Sequence, residues 1–391
     1  MTRKQMLTIL IALLLVCGGA VLIFYFAFFR NQVNIVGWVG GGDAVNVTVP
    51  DGFTVSIFAD DLKGPRFINF DDQGVLHVAD RGNGRIVAYP DNNQDGQADE
   101  TIVVAEGLNS PHSLVFRDGS WYVGVPSGVI RLDDADGDGL YETQTTLIDS
   151  YTPPGQHSTR TVEFLPDGRM VIAAGSTCNV CDEEDPRRAA ITIYDDPTGQ
   201  DSATGERIFA KGLRNAVGLA IHPDTGELWA SNNGRDLIGD DLPPETIYIV
   251  RDGLNYGWPT CHSGDIIDPD MGNPNSCDDV EAPVVAMQAH MAPLGIAFYT
   301  GDTFPETYRG DLFIAQHGSW NRTVPVGYKV SRLPLDGDTV GELEDFASGW
   351  LDLEENAAYG RPVGLAVGPD GALYVSDDKA HLIYRIAYEG N

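Results

Sequence analysis

Six times along the chain, an apolar run with the composition of a β-strand ends at a tight turn and restarts as a second apolar run. The first runs are GPRFINF, SPHSLVF, HSTRTVEF, RNAVGLAI, HMAPLGIAF and GRPVGLAV, ending at Phe70, Phe116, Phe164, Ile221, Phe298 and Val367. The turns DDQG, RDG, LPDG, HPDTG, YTGDTF and GPDG follow, and then the second runs VLHVAD, SWYVGV, RMVIAA, ELWASN, DLFIAQ and ALYVSD. Three of these continue into a plain third strand, RIVAYP, VIRLD and LIYRI. No long stretch carries the 3.6-residue period of an amphipathic helix, so the pattern predicts an all-β chain.

Successive run ends lie 46, 48, 57, 77 and 69 residues apart. Strand–turn–strand units of this length are those of four-stranded β-propeller blades, and six repeats predict six blades. DGFTVSIFAD, residues 51–60, precedes the first repeat and is placed to close the ring against the last blade. Ring closure removes the exposed sheet edges. An open β-solenoid is the rival arrangement, but its rungs are shorter and more uniform.

In a propeller the residues just before each innermost strand crowd around one mouth of the central channel. Seven positions before each run end stand Lys63, Asn109, His157, Arg214, Met291 and Gly360. Six before stand Gly64, Ser110, Ser158, Asn215, Ala292 and Arg361. His112 and Arg160 lie four before, and His290 eight before. Cations, amides and imidazoles from different blades thus converge on one mouth, with no carboxylate in these positions. Such a pocket suits a polar or anionic small molecule. Taken singly, each of these residues could instead bond loop backbone.

The N-terminus breaks the pattern. Residues 6–29 form an unbroken apolar run behind Arg3 and Lys4. That is enough to span a bilayer as a helix. The preceding basic residues predict a cytoplasmic N-terminus, and the run lacks the small-residue site of a cleaved signal. The expected organisation is a cytoplasmic N-terminus and transmembrane signal anchor over 1–30, a linker over 31–48, and a six-bladed propeller over 49–391. The propeller would lie on the extracytoplasmic side of a single-pass cytoplasmic-membrane protein. Four cysteines outside the apolar run then predict two disulfides, Cys261–Cys277 and Cys178–Cys181 within CNVC. A zinc site is the alternative use of these thiols.

Acidic residues number 57 against 25 basic ones, a net charge of −32. Nucleic acid and anionic lipid surfaces are repelled by such a chain, while Ca²⁺ is attracted. Two loops have the spacing of calcium sites. DNNQDGQADE places Asp91, Asn93, Asp95 and Asp99 at alternating positions, and DADGDGLYE does the same with Asp134, Asp136, Asp138 and Glu142. Oxygen ligands so spaced suit a hard cation. Both loops lack the final glutamate of an EF-hand, and an Asp/Asn/Gly turn without metal is the plainer alternative.

SNNGRDLIGDDLPPETIYIVRDGLNYGWP (231–259), HGSWNRTVPVGYKV (317–330), GRPVGLAVGPDGALYVSDD (360–378) and GLRNAVGLAIHPDTGELW (212–229) together resemble the glucose/sorbosone dehydrogenase family, nearest its sorbosone dehydrogenase-like branch. The resemblance runs through most of residues 50–390. It implies a six-bladed propeller that uses pyrroloquinoline quinone (PQQ) and Ca²⁺ to oxidise a sugar or sugar aldehyde, passing electrons to an acceptor the sequence does not identify. It further implies His157 as a general base titrating near neutrality, with Arg214 and Asn215 as a cofactor-binding pair and Arg214 also serving the reduced quinone oxygen. Arg361 would bind a cofactor carboxylate, and the backbone carbonyls of Gly234 and Arg235 would ligate the cofactor's calcium. Where the glucose-oxidising branch carries a glutamine, a lysine and a tryptophan, this chain offers Asn109, His317 or Arg322, and His290. These stand as cofactor-side positions and turn the expected substrate away from glucose itself. The alternatives are a Ca²⁺-dependent sugar lactonase on the same scaffold and a non-catalytic, ligand-binding propeller.

Overall fold

The computed structural model describes residues 36–38, 47–151, 155–197, 202–337 and 339–390. The expected anchor, residues 1–30, and most of the linker lie outside the described residues. Among the described residues no helix is long and apolar enough to cross a membrane.

Among the described residues, six four-stranded antiparallel sheets form the ring, with one three-stranded and two two-stranded sheets beside them. The inner strands of the six are Pro65–Phe70, Ser113–Arg117, Arg160–Phe164, Ala216–Ile221, Pro293–Phe298 and Pro362–Val367, numbered here as blades 1 to 6. Each inner strand runs into the turn read from the sequence and pairs with the second apolar run behind it. Phe53–Ala59 pairs with Leu382–Tyr388 as the outermost strand of blade 6, so the ring closes as expected. The longest spacing, between Ile221 and Phe298, is taken up by the loop after Val250. That loop holds a short hairpin of Cys261–His262 and Ile266–Ile267.

The second strand of blades 1, 3, 4, 5 and 6 is buried along its whole length, and the innermost strands are buried or half-buried, which is why the runs read as continuously apolar rather than alternating. The cores sit between blades. Ile86, Trp121 and Leu132 fill the space between blades 1 and 2. Val171, Ile191 and Tyr248 fill that between blades 3 and 4, and Phe313, Trp350 and Tyr384 that between blades 5 and 6. Each such side chain contributes about 1.5–3 kcal/mol by leaving water.

The inner strands approach one another closely and are stitched by hydroxyls. Ser113 Oγ donates to Arg160 O, Thr161 Oγ1 to Val217 O, Ser231 Oγ to Leu294 O and Ser376 Oγ to Arg66 O. A Cβ on Gly218 would stand 2.1 Å from Leu294 O, so only glycine permits that junction. Val217, Leu294 and Val363 meet across the axis with Phe67 beside them. This apolar plug turns the mouth above it into a cup.

Candidate active site

Each hairpin brings the residues ahead of an inner strand beside those just after its second strand, because the pairs Arg160–Ala174, Ala216–Asn232 and Pro362–Asp377 end the ladders there. The mouth is therefore built from two sets of residues. One is the set counted back along the inner strands. The other is the set at the exits of the second strands: Ser176, Asn233, Gly234, His317, Asp377 and Asp378, of which the sequence reading named only Gly234 and His317.

His157 from blade 3 and Asn215 from blade 4 come together over Gly175. A Cβ at that glycine would lie 2.3 Å from Asn215 Oδ1 and 2.7 Å from His157 Cβ. His157 Nδ1 lies 2.8 Å from Ser176 O and 3.0 Å from its Oγ. A carbonyl can only accept, so Nδ1 carries the proton and Nε2 keeps its lone pair. Burial, with the Arg214 charge next in weight and Arg188 and Arg160 behind it, drives the imidazole pKa down to about 3. This corrects the expected titration near neutrality: in this structure His157 is neutral at any ordinary pH. Asn215 Oδ1 is buried with no hydrogen-bond donor.

Arg214 departs from expectation more sharply. Its Nε donates to Asn179 O at 3.0 Å, and Nη1 to Gly234 O at 2.6 Å and Asn233 O at 3.4 Å. Its Nη2 donates to Asn179 Oδ1 at 2.9 Å and Asp236 Oδ2 at 2.8 Å. All five N–H groups of the fork are thus engaged, and one of them occupies Gly234 O, an expected calcium ligand. The Arg235 side chain turns away and is ion-paired to Asp268 and Asp270. Buried Glu245 accepts from Gly234 N, and desolvation raises its carboxyl pKa to about 7.

Asn179, between the two cysteines of CNVC, is the residue the sequence reading missed. Besides its two bonds to Arg214 it accepts from Asp236 N and Trp258 Nε1 and donates to Asp236 O. The Cys178–Cys181 disulfide, formed as expected, closes the loop that carries it. Cys261–Cys277 is formed as well. The CNVC spacing drew attention for its sulfur, but its amide is what reaches the site.

On the far side, Arg361 donates from Nε to His317 O at 2.7 Å and from Nη2 to Gly318 O at 2.8 Å, with its guanidinium 5.6 Å from the Tyr328 ring centre. His317 is bonded to Asp378, which also pairs with buried Arg66. Burial, then the Arg361 charge, lowers the His317 pKa to about 4. His290 is held by Gly239 O and Asn321. Arg322 bonds Asp240 O and Asp241, outside the cup. Asn109 is exposed and lines a separate 380 Å³ cavity with Ser110, Tyr151 and Ser158. The counted positions hold no carboxylate, but Asp236, Asp377 and Asp378 enter the mouth from the second-strand exits. Asp236 and Asp378 each arrive with a cationic partner.

The two acidic loops differ. Asp91 Oδ1 and Oδ2 accept from Asp95 N and Gly96 N, and Asn93 Nδ2 donates to Asp99, so the first loop spends its groups on itself. In the second, oxygens of Asp134, Asp136 and Asp138 lie within 4.8 Å of one another; Glu142 is not in this group. Backbone N–H bonds, that of Gly139 foremost, hold the Asp134 pKa down.

The chain is thus a ring-closed six-bladed propeller with arginine, amide and imidazole side chains gathered at one mouth. Residues 128–385 match the family model described as Glucose / Sorbosone dehydrogenase, and the chain belongs to that family. It is 29% identical to an uncharacterized protein of Borreliella burgdorferi over 87% of this chain and 90% of that one. It is 27% identical to a pyrroloquinoline quinone-dependent pyranose dehydrogenase of Coprinopsis cinerea over 87% of this chain and 54% of that one, so it spans about half that relative's length. Among solved structures, the calcium structure of a Trichoderma reesei carbohydrate-active enzyme of family AA12 superposes with a TM-score of 0.75 at 22% identity, covering 88% of this chain and 98% of that one. The holo form of the Coprinopsis cinerea PQQ domain gives 0.72 at 24% identity, covering 90% and 100%. These likenesses establish the fold.

Proposed function

We propose that the chain oxidises a sugar or sugar aldehyde with PQQ and Ca²⁺ bound in the cup, His157 serving as general base. The observation that carries this reading is the pairing of His157 Nε2, left with a free lone pair by the Nδ1–H bond to Ser176, with the unpartnered buried Oδ1 of Asn215. The residues fit the cofactor. A tricarboxylate needs cations in a mostly neutral cup. Arg361 supplies one from one side, and Asn215 offers an acceptor to a ring N–H on the other. Arg214 fits less directly, because its fork is spent on Asn179, Gly234 and Asp236. It contributes field and a fixed Gly234 carbonyl first, and a cofactor contact only if it exchanges one of those partners. Bound PQQ supplies the two-electron acceptor, with Ca²⁺ as its Lewis acid.

The chain's own residues do the rest. Ser176 fixes the imidazole tautomer and its plane. His157 takes the substrate hydroxyl proton at Nε2. Negative charge brought into the cup would offset the arginine fields, the part of the imidazole pKa depression that burial does not cause. The apolar plug of Val217, Leu294 and Val363 closes the axis below. We further propose that residues 6–29 anchor the propeller to the outer face of the cytoplasmic membrane.

The test is dye reduction by protein reconstituted with PQQ and Ca²⁺ across a panel of aldoses and sugar aldehydes. A general base is worth about 10²–10⁴-fold, so His157→Ala should lose turnover by that order while keeping the cofactor. Unchanged turnover would remove His157 from the role.

A further inference from the structure

Blade 3 carries a buried polar corner that this chemistry leaves unused. Arg160 pairs with Ala174, and Ala174 with Ala190 of the next strand. Paired residues share a face of the sheet, as do residues two apart along a strand. Thr192, two beyond Ala190, therefore lies on the Arg160 face, and Arg188 stands two residues ahead of Ala190 at the same end. That face packs against blade 2, where Ile172, Ala174 and Tyr194 meet Tyr122, Leu147 and Tyr151.

Arg160 is fully buried and Arg188 is 3% exposed. The ion pairs nearby belong to Arg187, which bonds Asp185 and Glu206. Among the described residues neither Arg160 nor Arg188 has a carboxylate within 4.0 Å. Both guanidinium groups lean on one carbonyl: Arg160 Nη1 lies 3.3 Å from His157 O, and Arg188 Nη2 3.1 Å from it; Arg160 Nη1 also donates to Thr159 O at 2.7 Å, Arg188 Nη2 reaches Ser176 O at 3.4 Å, and the Arg160 guanidinium lies 4.9 Å from the Tyr151 ring centre. The remaining donors point elsewhere. Among the described residues, Nε and Nη2 of Arg160, Nε and Nη1 of Arg188, and the hydroxyls of Tyr151 and Thr192 are all buried with no hydrogen-bond partner. A buried cation without a contacting counter-ion is destabilising, and here two converge within reach of a shared oxygen, with Asp185 acting on both, and Glu183 on Arg188, only from beyond contact. Desolvation acts on both, taking the Arg160 pKa down to about 10 and lowering that of Arg188.

We propose that Arg160 and Arg188, with the Tyr151 and Thr192 hydroxyls, form a binding site for a small monovalent inorganic anion of halide size between blades 2 and 3. The corner offers N–H and O–H donors and a double positive charge, which selects an anion. Its enclosure excludes a bulky one. The site stands behind His157, on whose carbonyl both arginines rest, and does not depend on the PQQ reading.

Two measurements on the full-length protein test it. The first is anomalous diffraction from crystals soaked in bromide: a peak within about 3.5 Å of both guanidinium groups is expected. The second is thermal unfolding at constant ionic strength as gluconate is replaced by chloride, bromide or formate. Halide should raise Tm saturably by about 2 °C or more. Arg188→Gln should abolish that response, and exposed Arg207→Gln should retain it. Ordered waters alone in the corner, with a Tm indifferent to halide, would overturn the proposal. So would stabilisation by formate without a bromide peak. If Arg188→Gln fails to fold, the wild-type bromide map decides.

Discussion

Replacing His157 by glutamine should change how stability depends on pH. The imidazole is held neutral by burial and by the Arg214, Arg188 and Arg160 charges, with a pKa of about 3 against an ordinary 6.5. Below pH 6.5 the unfolded chain takes up a proton at this residue that the folded chain refuses. Stability therefore falls as pH drops through 6.5 and goes on falling until the folded pKa is reached. Between pH 7.5 and 4.5 the single group costs at most about 2.6 kcal/mol, at 1.36 kcal/mol per pH unit once the unfolded state is protonated. The glutamine variant lacks this term. Whatever its stability relative to wild type at pH 7.5, it should gain up to that amount on wild type at pH 4.5. Urea unfolding of both proteins at the two pH values, without reductant, reads the double difference. His317 and the carboxylates titrate in both proteins and cancel. A difference that does not change with pH would refute the claim that the arginine fields and burial hold His157 neutral.

Removing the Cys261–Cys277 bond with paired serines should cost about 3 kcal/mol, because it closes a loop of sequence separation 16; urea unfolding showing less than a few tenths would contradict this. Calcium alone should raise Tm by a few degrees and a chelator should reverse it, through Asp134, Asp136 and Asp138; an Asp136→Asn/Asp138→Asn variant that responds like wild type would move the effect elsewhere. Full-length protein should sediment with membranes and a chain starting near residue 45 should not; a mature chain beginning at residue 30 or later would instead show a cleaved signal.

The blades were legible because the inner two strands of each are buried or half-buried throughout, and so write apolar runs around a turn at a repeating interval. Ring closure by Phe53–Ala59 followed from the same pattern. The cup was half legible. Counting back from the run ends located His157, Arg214, Asn215 and Arg361, since those positions are fixed by the start of a strand. The partners at the strand exits were not, because Ser176, Asn179, Asp236 and Asp378 sit in loops whose paths no periodicity records. The saturation of the Arg214 fork and the low pKa of His157 are consequences of those loops. Asn109 shares the register of His157, but blade 2 leaves it exposed, lining a cavity with Ser110 and Ser158.

The account rests on the cup holding a quinone tricarboxylate. Calorimetric titration of PQQ into the purified protein with Ca²⁺ present tests that most directly. One equivalent should bind, and Arg361→Ala should weaken the binding at least tenfold through the loss of a charged partner worth about 1.5–3 kcal/mol. No heat of binding from wild-type protein, with Ca²⁺ in excess, would contradict the dehydrogenase reading and leave a propeller that binds another ligand.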